Sequence, residues 1–292
     1  MRNAAAIAPE APRALPRAGA RLAAGVARID PRIWQIATLS TLLVLGVAVL
    51  RFDLDPLGPP LILASALAVQ AIACRSLGLA FDPLSPTITA LSLSLLLRAD
   101  ALWPLAAAAA LAIGSKFVAR IDGRHLFNPA NIALVSLPLC YEGAWISPGQ
   151  WGSTGLLAVA LAGVGAIVAG RAARLDTTLA FLCAFAAATF ARAFWLGDPM
   201  AIPLHQLQSG ALLVFAFFMI SDPATTPRVR PMRILHASAV ALLGFALQTL
   251  WVSNAGPILA LVLLAPLVPL LNRLAPSHAP NRASSHADRR PA

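Results

Sequence analysis

The stretch that decides the fold is GALLVFAFFMI, residues 210–220, followed by SDPATTP, residues 221–227. Eleven helical residues rise roughly 17 Å, whereas the hydrocarbon core of a bilayer is about 30 Å thick. The apolar run ends in a carboxylate, two prolines and two threonines, where a plain membrane anchor would continue with apolar residues. Polar, irregular backbone at membrane depth is tolerated only where protein or a water-filled cavity satisfies it. This stretch is therefore the first candidate for a functional site.

The rest of the chain has the composition of a polytopic membrane protein. Hydrophobic residues make up 59% of it and charged residues only 12%, which excludes the soluble globular class. The apolar blocks are about 18–25 residues long and lack the two-residue alternation of an outer-membrane barrel. We predict an all-α membrane protein with about ten transmembrane helices, at 33–50, 57–79, 86–98, 101–119, 127–140, 151–169, 177–196, 209–221, 233–251 and 255–272.

The basic residues of the chain fall on one side of these ten predicted spans. With the N-terminus inside, 19 of the 22 Lys and Arg residues lie in cytoplasmic stretches, and only Arg51, Arg98 and Arg192 lie at outer positions. Positive-inside topology accounts for the net charge of +10 without any nucleic acid. We therefore predict a multi-pass protein of the inner (cytoplasmic) membrane, with both termini cytoplasmic and the lipid bilayer as its surroundings.

The ten segments divide into two halves of five. Residues 33–140 form the first predicted membrane repeat and residues 151–272 the second, while 1–32 and 273–292 are basic or polar cytoplasmic tails predicted to be disordered. An odd number of crossings inverts the second half relative to the first. The third segment is the short one in each half, at 86–98 and 209–221, and such matching interruptions point to a site near the midplane. The alternative is that Pro and Gly are simply common in membrane helices.

Polar residues near the inner ends of the short segments supply the candidate site. Lys116, the only lysine of the chain, lies with Arg120 and Arg124 beside the fourth span. These cations either bind an anionic cofactor or partner, or anchor lipid headgroups. Ser85 is predicted to cap the first short helix, with Pro86 at its first position.

Two further groups each allow a functional and a structural interpretation. Asn128 and Asn131 either hydrogen-bond the edge of a flavin or quinone, or cap a helix that begins at Pro129. Asp222, with Thr225 and Thr226, is either a functional group near the membrane or part of a helix-ending turn. The sequence contains no phosphate-binding loop, no dinucleotide-binding fingerprint and no metalloprotease motif.

Two stretches resemble the signatures of the RnfD/NqrB family. They are KFVARIDGRHLFNPAN at 116–131, and residues 209–227, where the family reads approximately Ser-Gly-Gly…Met-Ala-Thr-Asp-Pro-Val-Thr-Ser-Pro. Members are membrane subunits of Rnf-type ferredoxin:NAD oxidoreductases and of sodium-pumping NADH:quinone reductases. The resemblance covers about residues 33–272 in segment count and order. It implies ten spans in two inverted five-helix halves, a fold similar to that of urea transporters.

The resemblance also implies a function. The chain would be a membrane subunit of an electron transport system that contacts a flavin or a quinone between the two repeats, with other membrane or peripheral redox subunits as partners. Such a subunit would be catalytically silent alone. The competing hypothesis is a small-solute channel or transporter on the same scaffold, because fold and function are separable. The cofactor-binding residues that the two signatures and their surroundings indicate are Lys116, Arg124, Asn128, Pro129, Asn131, Ser209, Gly210, Asp222, Thr225 and Thr226.

One departure from the family pattern bears on the cofactor. Family members carry FMN linked through its phosphate to a threonine of a Ser/Asp-Gly-Ala-Thr motif, in a long external stretch between spans five and six. Here that stretch is about residues 141–150 and contains no Gly-Ala-Thr. Thr154 lies near the right place, but its surroundings, Gly-Ser-Thr-Gly, are not the flavinylation pattern. The cofactor is therefore left open, with a noncovalent flavin (FMN or riboflavin) or a quinone as the candidates, and covalent FMN is not expected.

Overall fold

From residue 30 onward, the first half of the chain consists of helices joined by loops and short strands. A computed structural model describes residues 30–147, 151, 155–250 and 255–275. The helices of the first half are α1 (Pro31–Ala48), α2 (Gly58–Ser76), α3 (Leu84–Leu96), α4 (Leu102–Val118) and α5 (Pro129–Cys140). Four short strands accompany them: β1 (Leu97–Ala99) pairs antiparallel with β4 (Ala144–Ile146), and β2 (Arg120–Ile121) pairs antiparallel with β3 (Arg124–His125).

The second half follows the same plan with one added helix and one break in helical geometry. Its short helix α9 continues directly into a π-helical segment, π1, and the last predicted span is divided into two helices. The elements are α6 (Gly155–Arg171), α7 (Leu175–Leu196), α8 (Ala201–Leu207), α9 (Gly210–Val214), π1 (Phe215–Met219), α10 (Arg230–Leu250), α11 (Gly256–Leu264) and α12 (Leu267–Leu274).

Local sequence explains where several of these helices begin and end. The Asp30 carboxylate accepts a hydrogen bond from the Arg32 backbone N–H at the start of α1, and Pro31 occupies the first turn. The Asn128 side chain caps α5 in the same way, accepting from the Asn131 backbone N–H at 3.1 Å. Gly197 ends α7 in the left-handed conformation, with φ of 72°, which glycine adopts without strain.

The prediction of an all-α polytopic membrane protein is confirmed. A helix occupies most of each of the ten predicted segments. Within the described residues, four helices have the length and apolar composition to cross a membrane, or six if each of two bent helix pairs counts as one span. Large apolar side chains are exposed on several helices, including Val44, Ile72 and Val159, as expected for surfaces that face lipid.

Both short helices are extended by neighbouring elements. Strand β1 follows α3 and pairs with β4, which continues the chain beyond the helix. Helix α8 precedes α9, and the two are bent by 46° at their junction. The sequence did not indicate α8 as a separate helix, because its seven residues are too few for a clear apolar period.

The two halves repeat one packing pattern. In the first half α1 packs on α3, α2 on α4, and α4 on α5; in the second half α6 packs on α9 and π1, α7 on α10, and α10 on α11. Equivalent helices also meet across the halves, α1 with α6 and α5 with α11. A five-plus-five repeat would produce such a pattern, and the division into two repeats stays a prediction. The inversion of one half and the number of membrane crossings stay predictions, and the proposed tails, 1–32 and 273–292, lie almost wholly outside the described residues.

The end of π1 shows how a helix can stop inside an apolar bundle. The last four carbonyls of a helix have no partner within the helix. Here Ala216 O accepts from Thr178 Oγ1 at 2.7 Å, Phe217 O from Ser221 Oγ, and Phe218 O from Gln35 Nε2 at 3.5 Å. The fourth carbonyl, of Met219, accepts from the Asp222 backbone N–H at 3.3 Å. Donors from α7, α1 and the following loop thus satisfy the backbone where the helix ends.

A close backbone contact between α10 and α11 gives a first prediction. A Cβ on Gly256 would lie 2.8 Å from the Gln248 backbone nitrogen and closer still to the Gly244 carbonyl oxygen. Since backbone atoms cannot rotate away, Gly256→Ala is expected to cost about 1–3 kcal/mol and to lower the thermal unfolding midpoint in detergent.

Gly114→Ala is the matched control for this substitution. A Cβ on Gly114, inside α4, meets nothing within 4 Å. Its unfolding midpoint is expected to stay the same or rise, because alanine favours a helix over glycine. Equal destabilisation by the two substitutions would contradict the close α10–α11 contact.

Candidate functional site

A cavity lies between the two short helices. Its volume is about 450 Å³, and it is bounded by the first turns of α1 and α3, the ends of α4, α6 and π1, and the start of α5. Six elements from both halves therefore meet around one space at one end of the bundle. That end also carries most of the arginines of the described chain, which is the predicted cytoplasmic side.

One wall of the cavity is apolar. Phe217 and Phe218 of π1, Ile88 of α3 and Val168 of α6 contribute to it. A π-helical turn moves side chains around the helix axis relative to regular α-helical positions, and such turns are frequent at functional sites. The irregular geometry of π1 thus places two neighbouring phenylalanines along the same cavity.

Other parts of the lining are polar and include Lys116. Its ammonium group donates to Ser85 Oγ at 2.9 Å and to Gln70 Oε1 at 3.1 Å. An ammonium group has three N–H donors, so one remains for a ligand in the cavity. The prediction that Ser85 caps α3 is wrong: the helix begins at Leu84 without a side-chain cap, and the Ser85 hydroxyl accepts from Lys116 instead.

Asp222 lines the cavity from the loop after π1. Its carboxylate accepts from the Ala224 backbone N–H at 2.9 Å and from Asn128 Nδ2 at 3.3 Å, and His125 Nε2 is 3.8 Å away. Burial by itself would raise the pKa of Asp222, but His125, the Ala224 N–H and Arg124 together outweigh it and hold the pKa below its usual value. Asp222 therefore both forms the turn that ends the helix and presents an ionised carboxylate to the cavity.

The structure brings four of the ten sequence-predicted binding residues together around this cavity. They are Lys116, Asn128, Pro129 and Asp222. The Asn128 oxygen caps α5 and its nitrogen donates to Asp222, whereas a contact of Asn128 with a cofactor stays a prediction. The link between Asn128 and Asp222 joins the two sequence signatures directly.

Two other predicted residues lie at a neighbouring cavity. Arg124 and Thr225 line a second cavity on the far side of the 222–227 loop. Thr226, in the same loop, is fully buried. Its hydroxyl donates to the Asp222 carbonyl at 3.0 Å and accepts from Arg174 Nε at 3.2 Å. A role of these three residues in cofactor binding stays a prediction.

The remaining three predicted residues lie away from both cavities. Asn131 is buried and donates through Nδ2 to the Ile258 carbonyl at 2.8 Å, which ties α5 to α11. Ser209 and Gly210 begin α9, at the opposite end of the short helix from Asp222. A Cβ on Gly210 would lie 2.7 Å from Trp151 Cβ, so this glycine serves close packing.

Sequence reasoning missed the contribution of α1 to the cavity. Arg32 forms an ion pair with Asp82, and Gln35 donates to the Phe218 carbonyl. The contact of Gln35 could have been predicted from the sequence, because an amide side chain within a predicted membrane helix is expected to face protein. His125 lies between the two cavities and lines both.

One comparison with known proteins gives a match. The model of the NQR2, RnfD, RnfE family matches residues 144–279, slightly less than half of the chain. This part of the chain is similar to that family. The matched range includes the 209–227 signature, the π1 segment and Asp222, whereas the 116–131 signature lies before it. A search of curated proteins found no match.

The family match supports a membrane subunit of Rnf/Nqr-type complexes, a class of proteins that acts within multi-subunit assemblies. Multi-pass membrane location and membrane partners agree with this assignment.

Substitutions of Asp222 test its two roles separately. Asn keeps an oxygen that accepts from the Ala224 N–H, whereas Ala removes it, so Asp222→Ala is expected to cost about 1 kcal/mol more than Asp222→Asn. The measurement is the free energy of unfolding in detergent. Because the pKa of Asp222 is lowered, the advantage of the wild type over Asp222→Asn is present at neutral pH and is lost as the pH falls below about 4. Equal effects of the two substitutions would exclude the turn role.

Proposed function

We propose that this RnfD/NqrB-like protein is the membrane subunit of an electron transport system and holds a flavin or a quinone noncovalently in the cavity between α3 and π1. The single observation that carries the proposal is the convergence of both short helices, Lys116 and Asp222 on one cavity of about 450 Å³. The family match supports a place for this protein in an electron transport complex.

The residues around the cavity fit a flavin or quinone ring. A planar aromatic ring system requires an apolar slot with a few polar groups at its edge. Phe217, Phe218 and Ile88 supply the apolar surface, and Lys116 supplies a donor at the polar side. When bound, a flavin or a quinone supplies reversible electron transfer, and the protein supplies binding and electrostatics.

The chain's own residues have distinct proposed tasks. Lys116 would donate its remaining N–H to a carbonyl oxygen of the ring and stabilise the negative charge gained on reduction. Ser85 and Gln70 hold the ammonium group in place. Asp222 and Asn128 position the loop that closes the cavity mouth. Other redox subunits are the proposed partners, in the inner membrane, with both termini of the chain cytoplasmic.

The proposal predicts that the purified protein either contains flavin or binds an added flavin or quinone. The full chain, purified in detergent, is expected to show a flavin absorption band or to bind added riboflavin or a short-chain quinone. Lys116→Gln is expected to weaken this binding about tenfold or more, as for loss of a hydrogen bond from a charged group. Binding is measured by the absorption of retained flavin and by fluorescence titration.

Arg75→Gln is the matched control, because Arg75 is an exposed cation at the end of α2 that lines neither cavity. It is expected to bind like the wild type. A colourless protein that binds neither added riboflavin nor quinone would overturn the proposal. Movement of a small solute by that protein in liposomes would support the channel or transporter alternative instead.

A further inference from the structure

The second cavity, on the far side of the 222–227 loop, has a chemistry of its own. Its volume is about 300 Å³. Three parts of the chain enclose it: the β2–β3 hairpin, the loop from Ala224 to Arg228, and helix α12. Both sequence signatures therefore contribute to it, and of their residues only His125 and Ala224 also line the first cavity.

The charges at this cavity are mainly positive. Arg124, Arg228 and Arg273 line it together with one carboxylate, Asp122, which lies 3.8 Å from Arg273. In the described part of the chain, neither Arg124 nor Arg228 has a carboxylate within 4.0 Å; Arg124 instead donates to the carbonyls of Pro223 and Thr226. Two guanidinium groups thus lie close to each other with a net excess of positive charge around them.

The pKa of Arg124 reflects this arrangement. Burial is the largest cause and lowers the pKa of Arg124. The neighbouring Arg228 lowers this pKa further, whereas Asp222 raises it. Like charges held at one cavity raise the free energy of the empty site, and an anion between them would relieve the repulsion.

A buried hydroxyl points to the same ligand chemistry. Thr225 lines the cavity and is only 4% exposed, yet its Oγ1 has no hydrogen-bond partner in the described structure. A buried hydroxyl without a partner is costly, and the great majority of such groups are paired in folded proteins. The unpaired hydroxyl at a basic cavity is therefore a donor that a ligand would satisfy.

We propose that this second cavity binds a phosphate group, held by Arg124, Arg228 and the Thr225 hydroxyl. Phosphate oxygens accept several hydrogen bonds at once, and guanidinium groups bind them through paired N–H donors. The phosphate belongs either to a phospholipid headgroup or to a soluble phosphate compound, since both present the same oxygens. The proposal stands without any redox cofactor in the first cavity.

The first arm of the test uses inorganic phosphate. The full chain in a phosphate-free sugar detergent is titrated with inorganic phosphate, and the thermal unfolding midpoint is followed, because a ligand that binds only the folded state raises it. Thr225→Val and Arg228→Gln are each expected to weaken binding roughly tenfold or more. Arg75→Gln, which removes the same charge away from the cavity, is expected to leave the affinity within about twofold.

Thr225→Val also separates ligand binding from a structural role. Valine has the same shape without the hydroxyl, so removal of an unpaired hydroxyl is expected to leave the ligand-free unfolding midpoint unchanged or raised. Arg228→Gln provides a second variant at an exposed side chain, where misfolding is not expected.

The second arm identifies the source of the phosphate. Native mass spectrometry of the protein, incubated with phosphatidylglycerol, shows whether the wild type retains a phospholipid that Thr225→Val and Arg228→Gln lose. Retained lipid assigns a headgroup site, and a response to inorganic phosphate alone assigns a soluble ligand. No response of the wild type in either arm would overturn the proposal, as would equal binding by Thr225→Val and Arg75→Gln.

Discussion

A helix that ends inside an apolar bundle must find partners for its last carbonyls, and this constraint organises the second half of the molecule. The four carbonyls of residues 216–219 accept hydrogen bonds from Thr178, Ser221, Gln35 and the Asp222 backbone. Two of these donors come from other helices, α7 and α1. The short helix therefore holds its neighbours at fixed positions by polar contacts as well as by packing.

The same helix end separates two cavities. On one side, Phe217 and Phe218 face the space shared with α3, which is the proposed cofactor site. On the other side, the loop that begins at Asp222 turns Thr225 towards a basic cavity under α12. Arg124 and Arg174 hold this loop from the outside through the carbonyls of Pro223 and Thr226 and through the Thr226 hydroxyl. One signature sequence thus contributes to two sites of different chemistry.

The sequence predicted those parts of the structure that depend on local chemistry or on composition. The lengths of the apolar segments predicted the helices. The position of Asn128 before Pro129 predicted the cap of α5, because a cap needs only residues close in sequence. The capping role of Ser85 was wrong because the helix begins one residue earlier, at Leu84, and the Ser85 hydroxyl accepts from Lys116, which is distant in sequence. The position of Thr225 on the opposite side of the loop from Asp222 also escaped prediction, since spacing in a non-helical loop does not fix the direction of a side chain.

The central claim is that donors from other helices stabilise the end of π1, and two threonines of α7 test it most directly. Thr178 donates to Ala216 O in π1, whereas Thr189 donates to Phe185 O within its own helix, both at 2.7 Å and both buried. The free energies of unfolding of Thr178→Val and Thr189→Val are compared in detergent. Thr178→Val is expected to be about 1 kcal/mol less stable than Thr189→Val, because only it leaves a helix-end carbonyl without its partner. Equal stabilities of the two variants would contradict the claim.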